Sequence, residues 1–182
     1  LSVTFNLLAK DENIWDLYGT RTRVQMQKAC PFELSTFEGY CLLTSSFFSA
    51  YMTNTEHRLL QAERDKAEDN TIILHDFFYK NYDLKIKYDP SDPLKPFVEF
   101  DEQIIGSTAE AFGTIYGNGK LMCDQPVAYD SYYNVCQKFV ILYTTIYVVG
   151  KGTVGTYVNI LEWISDEEAE QYKNCLLYTS PS

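Results

Sequence analysis

The sequence predicts an all-β fold, an eight-stranded antiparallel up-and-down β-barrel with a short N-terminal helix and a C-terminal helix packed on the barrel. The first indication is a succession of segments rich in β-branched and aromatic residues, joined mostly by short turns. The second is a pair of hairpin turns, Asn118-Gly119 and Gly150-Lys151-Gly152, each between apolar segments. The third is a helix start at Ser165, directly after the last strand. Closure into a barrel removes the free strand edges that would promote aggregation.

The N-terminal part of the chain begins with a helix and a strand. Residues 5–13 fit a short helix, and residues 14–24 mix aromatic and β-branched side chains with polar ones, as a half-buried strand does. Residues 40–52 form a second strand candidate. The charged segment 57–70 fits a helix by propensity alone, but a long connection or a strand extension suits the surrounding β pattern better.

The C-terminal part supplies the remaining strands. Residues 71–89 and 97–106 are strand candidates on either side of a proline-rich loop. Residues 111–123 contain the Asn118-Gly119 pair, which predicts a hairpin. A second hairpin spans 136–163, and its arms of about a dozen residues are long enough to require strong twisting or closure.

The residues that follow the last strand predict a capped helix. Ser165 and Glu168 have the spacing of a capping box, and Asp166 and Glu167 lie at the positive end of the helix dipole. The helix would run about two and a half turns, to Lys173, and a segment that short is marginal without tertiary contacts. A cysteine shortly afterwards could anchor it if it bonds back to the barrel.

Length and charge limit the classes of function. A chain of 182 residues without a Pro/Gly/Ser-rich linker predicts a single domain over residues 1–182. The formal charge of −10 repels nucleic-acid phosphates and anionic lipid surfaces. The longest apolar run, Phe139 to Val149, is too short for a bilayer, which requires about 20 residues. We therefore expect no nucleic-acid partner and no membrane association. A monomer is the expected state, although the sequence does not determine the oligomeric state.

The cysteines favour disulfides in an oxidising compartment, so we expect a secreted, extracellular protein. They are dispersed along the chain and show none of the paired spacings that favour zinc. Because their number is odd, at least one is unpaired or lacks its partner. The five are Cys30, Cys41, Cys123, Cys136 and Cys175.

Enzyme motifs are missing from the sequence. It contains no G-x-S-x-G, H-E-x-x-H, P-loop or G-x-G-x-x-G pattern. The histidines, His57 and His75, fit packing or surface positions, and His75 and Asp76 face opposite ways because they are strand neighbours. The sequence predicts a protein that is not an enzyme and that uses no cofactor and no metal.

Several segments, in their order along the chain, resemble a known family. They are Trp15 and Tyr18 on the first strand, Tyr129 to Cys136, the 136–163 hairpin that ends in Glu162-Trp163, and the helix that reaches Cys175. This order resembles that of the tick salivary lipocalins of the histamine-binding type. The resemblance implies a secreted lipocalin barrel that binds a small ligand.

The same resemblance implies a pattern of disulfides. Cys136 would pair with Cys175 and tie the C-terminal helix to the barrel, which would stabilise the fold by roughly 3–4 kcal/mol. Cys41 matches a cysteine whose usual partner lies near the very C-terminus, so residues 176–182 are interpreted as a disordered or non-native tail. Cys30 and Cys123 would pair with each other, or one of them would take Cys41.

The chain departs from the amine-binding pattern at one strand. Amine-binding members carry an acidic residue two positions before the strand Trp, whereas here Leu161 has that place and Glu162 adjoins Trp163. A shift of one residue sends a strand side chain to the opposite face, so Glu162 points at solvent unless a bulge restores its direction. This departure favours a generic small-molecule or lipid pocket over an amine site.

A ligand in such a barrel would be held by aromatic walls and a few polar groups. For a cationic ligand the candidate carboxylates are Asp101, Glu102, Asp130 and Glu162, each of which also fits a solvated strand end. The candidate wall residues, each of which also fits ordinary barrel packing, are Trp15, Tyr18, Phe78, Phe100, Phe112, Tyr116, Tyr129 and Trp163.

The resemblance and the candidate residues predict two alternative functions. The first is capture of a small amphipathic or amine mediator of a host, such as histamine, serotonin or a lipid mediator, by burial in the barrel. The alternative is a filled barrel whose loops bind a host protein such as a complement or coagulation factor. An open, ring-lined cavity favours the first, and a filled core favours the second.

Overall fold

The computed structural model of the chain describes residues 2–6, 21–25, 30–52, 54–92 and 95–179, with side chains described between 30 and 174. Its contacts divide the chain into two units, Leu1–Cys30 and Pro31–Ser182, which are described in turn. The single-domain expectation stays a prediction.

The first unit contains two short strands, β1 at Ser2–Asn6 and β2 at Arg21–Gln25, which pair antiparallel. The helix expected at 5–13 is wrong at its start, because residues 5 and 6 pair in β1; residues 7–13 lie outside the described ranges. The strand expected at 14–24 is confirmed over 21–24, where threonine and valine suit a β conformation.

The second unit is a closed antiparallel barrel. Eight strands form its ring in the order β3, β4, β5, β6, β7, β10, β11, β12, and β12 pairs again with β3. The hairpin β8–β9 joins the second half of β11, while β10 pairs with the first half. The predicted eight-stranded antiparallel barrel is confirmed. Its strands are β3 Gly39–Ser45, β4 His57–Arg64, β5 Thr71–Leu74, β6 Leu84–Asp89, β7 Phe97–Glu99, β8 Gln103–Ser107, β9 Lys120–Asp124, β10 Tyr132–Asn134, β11 Phe139–Val148 and β12 Gly152–Ile164.

Helices lie between or after the strands. They are a 3₁₀ helix at Leu34–Phe37, α1 at Ser46–Tyr51, α2 at Thr108–Phe112 and α3 at Asp166–Thr179. None of the helices formed by the described residues has the length and apolar character needed to cross a bilayer.

Burial alternates along the strands, which sets the inward face of the barrel. In β11 every second residue is buried, from Val140 to Val148, and in β6 the buried residues are Leu84, Ile86 and Tyr88. Because successive strand residues face opposite ways, these buried side chains form the interior. The core is therefore made by the inward side chains of the ring.

One buried polar network crosses the interior and is fully bonded. The Asn159 amide accepts from Ser45 Oγ (2.6 Å) and donates to the Leu142 carbonyl (2.9 Å) and Thr144 Oγ1 (3.0 Å). Because each of these groups has a partner, the network fixes the pairing of three strands without leaving a polar atom unsatisfied.

Two of the expected strands are interrupted. The strand expected at 40–52 ends at Ser45, whose side chain accepts a hydrogen bond from Phe47 N (3.1 Å) and so caps α1. The strand expected at 71–89 is two strands, because residues 75–83 form a loop in which Asp76 and Asn81 adopt left-handed φ angles of 54° and 67°. Asp83 Oδ1 accepts from Asp76 N (3.0 Å) and holds this loop.

In the segment 57–70 the strand extension is confirmed, because β4 runs to Arg64 and a turn follows. The segment 97–106 is likewise divided, between β7 and β8. The hairpin expected at 111–123 has β9 as its second arm, but its first arm is α2, which a Ser107–Glu110 capping box starts. The strand that pairs with β9 is β8.

The long hairpin and the capped helix are confirmed. The tip between β11 and β12 is closed by Lys151 N donating to the Val148 carbonyl (3.0 Å). At the start of α3, Glu168 Oε2 accepts from Ser165 N (2.8 Å) and Ser165 Oγ accepts from Glu168 N (3.3 Å), as a capping box requires. The helix continues past Lys173 to Thr179 and so into the expected tail, because the leucines after Cys175 favour helix; residues 180–182 lie outside the described ranges.

The predicted disulfides are wrong. Cys136, exposed in the turn after β10, is bonded to Cys30. Since a cysteine forms one disulfide, this bond excludes the pair Cys136–Cys175 and the pair Cys30–Cys123. Cys123 faces inward from β9, fully buried, and is a free thiol, as is Cys41 on β3.

Candidate ligand-binding site

Five aromatic rings, one of them Phe37 at their centre, meet inside one end of the barrel. The Phe37 centroid lies 4.6 Å from that of Tyr88, 5.1 Å from that of Trp163 and 5.7 Å from that of Tyr133. Phe32 packs against the same rings, 5.5 Å from Tyr133. We call these five residues the Phe37 cluster.

The fold brings the cluster together from separate elements. Tyr88 ends the inward row of β6, Tyr133 is the inward residue of β10, and Trp163 is the last inward residue of β12. Phe37 comes from the 3₁₀ helix that precedes β3. Its side chain has no exposed surface.

Two polar groups in the Phe37 cluster have no hydrogen-bond partner in the part of the chain that the structure describes. Tyr133 Oη donates to the Asp89 carbonyl (3.2 Å). By contrast, Tyr88 Oη and Trp163 Nε1 are buried and meet no partner among the described residues. Only 1% of Tyr88 and 7% of Trp163 is exposed. A buried donor left without an acceptor costs about 1–3 kcal/mol. Binding of a ligand that brings an acceptor to either group would therefore be favourable.

Cys41 lies beside these two donors. It faces inward from β3 directly opposite Trp163 in the β3–β12 pairing. Burial raises the pKa of the Cys41 thiol, and burial with the proximity of Cys41 and Tyr133 raises the pKa of Tyr88 well above its usual value. The Cys41 thiol and the Tyr88 hydroxyl are therefore uncharged at neutral pH.

A second group of rings surrounds Phe47 towards the other end of β12. The Phe47 ring stacks on Phe78 at 4.7 Å and contacts Tyr51 at 4.9 Å and Tyr157 at 5.1 Å. Burial, followed by a hydrogen bond with Tyr51, raises the pKa of Tyr157. We call these four residues the Phe47 cluster.

Arg58 and Tyr79 adjoin the Phe47 cluster. The Arg58 guanidinium donates to the carbonyls of Phe78 (2.6 Å) and Asp76 (3.0 Å), and its burial lowers its pKa although Asp76 and Tyr79 oppose the shift. The Tyr79 hydroxyl is buried without a partner among the described residues. Burial raises the pKa of Tyr79 to about 12, with Glu110 adding to the shift and Arg58 opposing it.

Residues 17–175, which include every strand of the barrel, match a family described as a domain of unknown function, DUF4984. The chain belongs to the DUF4984 family. No curated protein and no solved structure matched the chain. The extent of the DUF4984 match means that both ring clusters lie within the family's domain.

The structure places the candidate wall residues of this DUF4984 domain in different surroundings. Phe78 lies in the Phe47 cluster and Trp163 in the Phe37 cluster, while Phe112 contacts Tyr51 at 5.4 Å. Phe100 is buried between β7 and β8, and its N–H donates to Gln125 Oε1 (3.2 Å). Trp15 and Tyr18 lie outside the described residues.

Two candidate tyrosines are on the outer surface. Tyr116 is 51% exposed in the loop after α2, and Tyr129 is 52% exposed with its ring stacked on Tyr143 at 5.1 Å. Neither side chain belongs to the two clusters, so the structure does not bring them to the interior.

Glu162 points out of the barrel. Its neighbours Leu161 and Trp163 are buried, Glu162 is exposed, and the irregularity in the β11–β12 pairing lies at Ile146/Tyr147 instead. The other candidate carboxylates, Asp101, Glu102 and Asp130, are exposed as well.

The described residues offer the interior little negative charge. Between residues 30 and 174 the buried carboxylate is Asp65, which accepts from Lys85 Nζ (2.5 Å) and Ala67 N (2.8 Å). Within the described part of the chain, no group of three or more His, Cys, Asp or Glu side chains could hold a metal ion.

Two clefts open elsewhere on the DUF4984 domain. One of about 530 Å³ lies beside α1 and includes Tyr51, Met52 and Glu56, and one of about 550 Å³ lies over Lys85 and Phe100. Neither is lined by Tyr88 or Trp163, and the Phe37 cluster is closed to solvent at Phe37 and Tyr88, of which at most 1% is exposed.

Sequence reasoning missed Phe37, Tyr88 and Tyr133. The alternation Leu84, Ile86, Tyr88 could have placed Tyr88 on the inward face. Phe37 gives no such signal because its 3₁₀ helix has no apolar periodicity, and its position depends on contacts with strands distant in sequence.

Proposed function

We propose that this DUF4984 chain is a secreted lipocalin that captures a small molecule inside its barrel and leaves it chemically unchanged. Support comes from the topology: ring neighbours mostly follow chain order, and the first strand of the ring pairs with the last. Closed barrels of this size enclose ligands in several families.

The observation that carries the proposal is the pair of unpartnered donors, Tyr88 Oη and Trp163 Nε1. A barrel optimised only for its own stability would pair such groups or replace them with apolar ones. A ligand that supplies an acceptor removes the cost of leaving them unsatisfied. The aromatic walls beside the donors suit the apolar body of the same ligand.

The Phe37 cluster is filled in this conformation, which by itself fits the filled-barrel alternative as well; capture requires Phe37 to move, because its ring fills the space between Tyr88 and Trp163. The 3₁₀ helix that carries Phe37 is held by the backbone hydrogen bonds of its own turns. It takes no part in the strand pairing of the barrel. Its displacement therefore leaves the pairing of the eight strands intact.

The disulfide between Cys30 and Cys136 supports an oxidising, extracellular location for the protein. A mediator of a host is the ligand that this location and the lipocalin resemblance suggest. Between the two kinds considered, exposure of Glu162 and of the other candidate carboxylates favours a lipid mediator over an amine.

Denaturation of protein purified from an oxidising expression host tests the proposal. We expect one small molecule per chain to be released and detected by mass spectrometry. Tyr88→Phe should reduce the bound fraction, whereas the matched hydroxyl deletion Tyr129→Phe on the outer surface should retain it.

An empty protein that also fails to bind any added apolar compound in calorimetry would overturn the capture function. That result would favour the filled-barrel alternative, in which exposed loops bind a host protein.

A further inference from the structure

The unpartnered groups of the Phe37 cluster define the polarity that a ligand must have. Trp163 Nε1 can only donate, and Tyr88 Oη, which meets no acceptor among the described side chains and backbone, has a proton to donate. The third polar ring, Tyr133, already donates to the Asp89 carbonyl. The cluster therefore contains two donors that a ligand could satisfy.

Charge at that end of the ligand would be opposed. A cationic head would need a carboxylate, and Asp65, the buried one among residues 30–174, is occupied by Lys85. An anionic head would need a cation, and Arg58 lies by the Phe47 cluster with its guanidinium bonded to two carbonyls. Burying an unpaired charge costs far more than a neutral hydrogen bond returns.

The side chains beyond the two donors are apolar. The inward residues next along the strands are aliphatic and at most 1% exposed; they are Leu43, Leu60, Ile86, Val140 and Leu161. An alkyl or ring body would contact these side chains and the rings of Phe32 and Phe37.

Resting on the capture function proposed above, we infer that the ligand is an uncharged, largely apolar molecule whose carbonyl oxygen accepts hydrogen bonds from Tyr88 Oη and Trp163 Nε1. A carbonyl oxygen accepts hydrogen bonds through two lone pairs and carries no charge, as donors in an uncharged, apolar surrounding require. An ester, ketone or lactone meets this description, and an amine or a carboxylate does not.

Four probes with the same alkyl chain separate the possibilities: methyl octanoate, octanoic acid, octylamine and octane. Titration calorimetry with the full chain at neutral pH should give the tightest binding for methyl octanoate. Each neutral hydrogen bond contributes about 2- to 12-fold in affinity, so the ester should exceed octane by about tenfold or more.

Variants assign the effect to the donors. Tyr88→Phe should weaken methyl octanoate binding about 2- to 12-fold and leave octane binding unchanged. Trp163→Phe provides an independent loss of the second donor if Tyr88→Phe lowers the melting temperature. Tyr79→Phe, which deletes an unpartnered hydroxyl near Arg58, should leave the ester-to-octane ratio as in the wild type.

The outcomes distinguish the two proposals. If none of the four probes binds, the capture function itself fails. If octane and the ester bind equally, if the acid or the amine binds best, or if both donor variants keep the wild-type ratio, the carbonyl inference is overturned while capture stands.

Discussion

The His75 side chain lies between two carboxylates on the outer face of the barrel. Its Nδ1 is 3.1 Å from Asp83 Oδ2 and its Nε2 is 3.2 Å from Glu63 Oε1. Partial burial lowers the pKa of His75, but the hydrogen bonds and charges of Asp83 and then Glu63 outweigh it, so the pKa is raised above 6.5. The imidazolium is thus stabilised in the folded protein.

We expect this group to make stability pH-dependent. Because the folded pKa of His75 is the higher one, its contribution is fully present below the unfolded pKa and is lost as the pH rises through the folded pKa. The free energy of unfolding from urea titrations should therefore fall over the pH range above 6.5. His75→Gln should remove this part of the dependence.

The matched control is His57→Gln, which removes the other histidine, bonded to Thr44 Oγ1 (2.7 Å). It should retain the loss above pH 6.5 that His75 causes. A His75→Gln protein whose stability changes with pH as in the wild type would contradict the assignment.

At the scale of elements, α3 depends on its capping box. Ser165 and Glu168 satisfy each other's backbone N–H groups, and Ala169 is fully buried one residue later. Further along, Tyr172 Oη donates to the His57 carbonyl (3.1 Å) and Lys173 Nζ donates to Tyr40 Oη (3.1 Å). The cap thus starts a helix that has tertiary contacts.

Ser165→Ala should lower the free energy of unfolding by about 1 kcal/mol, because the backbone N–H of Glu168 loses Ser165 Oγ as its acceptor. Ser165→Asp, which keeps a side-chain oxygen at the cap, should restore most of the loss. Urea denaturation followed by circular dichroism measures both. Equal stability of Ser165→Ala and the wild type would mean that the cap contributes nothing.

The Phe37 ring of the 3₁₀ helix contributes to the stability of the fold. Phe37→Ala should destabilise the protein by about 3–5 kcal/mol, because it removes a buried ring and leaves a cavity among Tyr88, Tyr133 and Trp163. If that cavity is the ligand's place, added toluene should raise the melting temperature of Phe37→Ala more than that of the wild type. A toluene effect of the same size on both proteins would contradict this role of Phe37.

For the molecule as a whole, sequence signals that span a few residues predicted the features that depend on short-range interactions. Asn118-Gly119, the glycine-containing tip at 150–152 and the Ser165–Glu168 cap act within a few residues, and the structure confirms each as a turn or helix start. The closed barrel followed from the number and order of the strands. Glu162 faces outward, as its one-residue shift from the family position indicated.

Features that depend on distant contacts were not predictable. The Cys30–Cys136 bond was missed because a disulfide partner is chosen by position in the fold, which sequence spacing does not determine. The Phe37 cluster was missed for the same reason, since its rings come from separate strands and a loop. The breaks after Ser45 and Leu74 were missed because short caps and left-handed residues interrupt otherwise uniform β patterns.

The disulfide should make a large contribution to stability. It closes a loop of about 100 residues, for which the chain-entropy model gives about 4–5 kcal/mol. Cys136→Ser should lower the free energy of unfolding by that order, and a reducing agent should do the same to the wild type but add nothing to Cys136→Ser. A wild-type protein indifferent to reduction would contradict the assignment.

The central claim is that an acceptor-bearing ligand reaches Trp163 inside the barrel. The indole N–H resonance of Trp163, assigned by its loss in Trp163→Phe, reports this directly in an isotope-labelled protein. We predict that saturating methyl octanoate shifts this resonance downfield, as a new hydrogen bond does, and that octane does not. A Trp163 resonance that stays in place while the ester binds would contradict the claim.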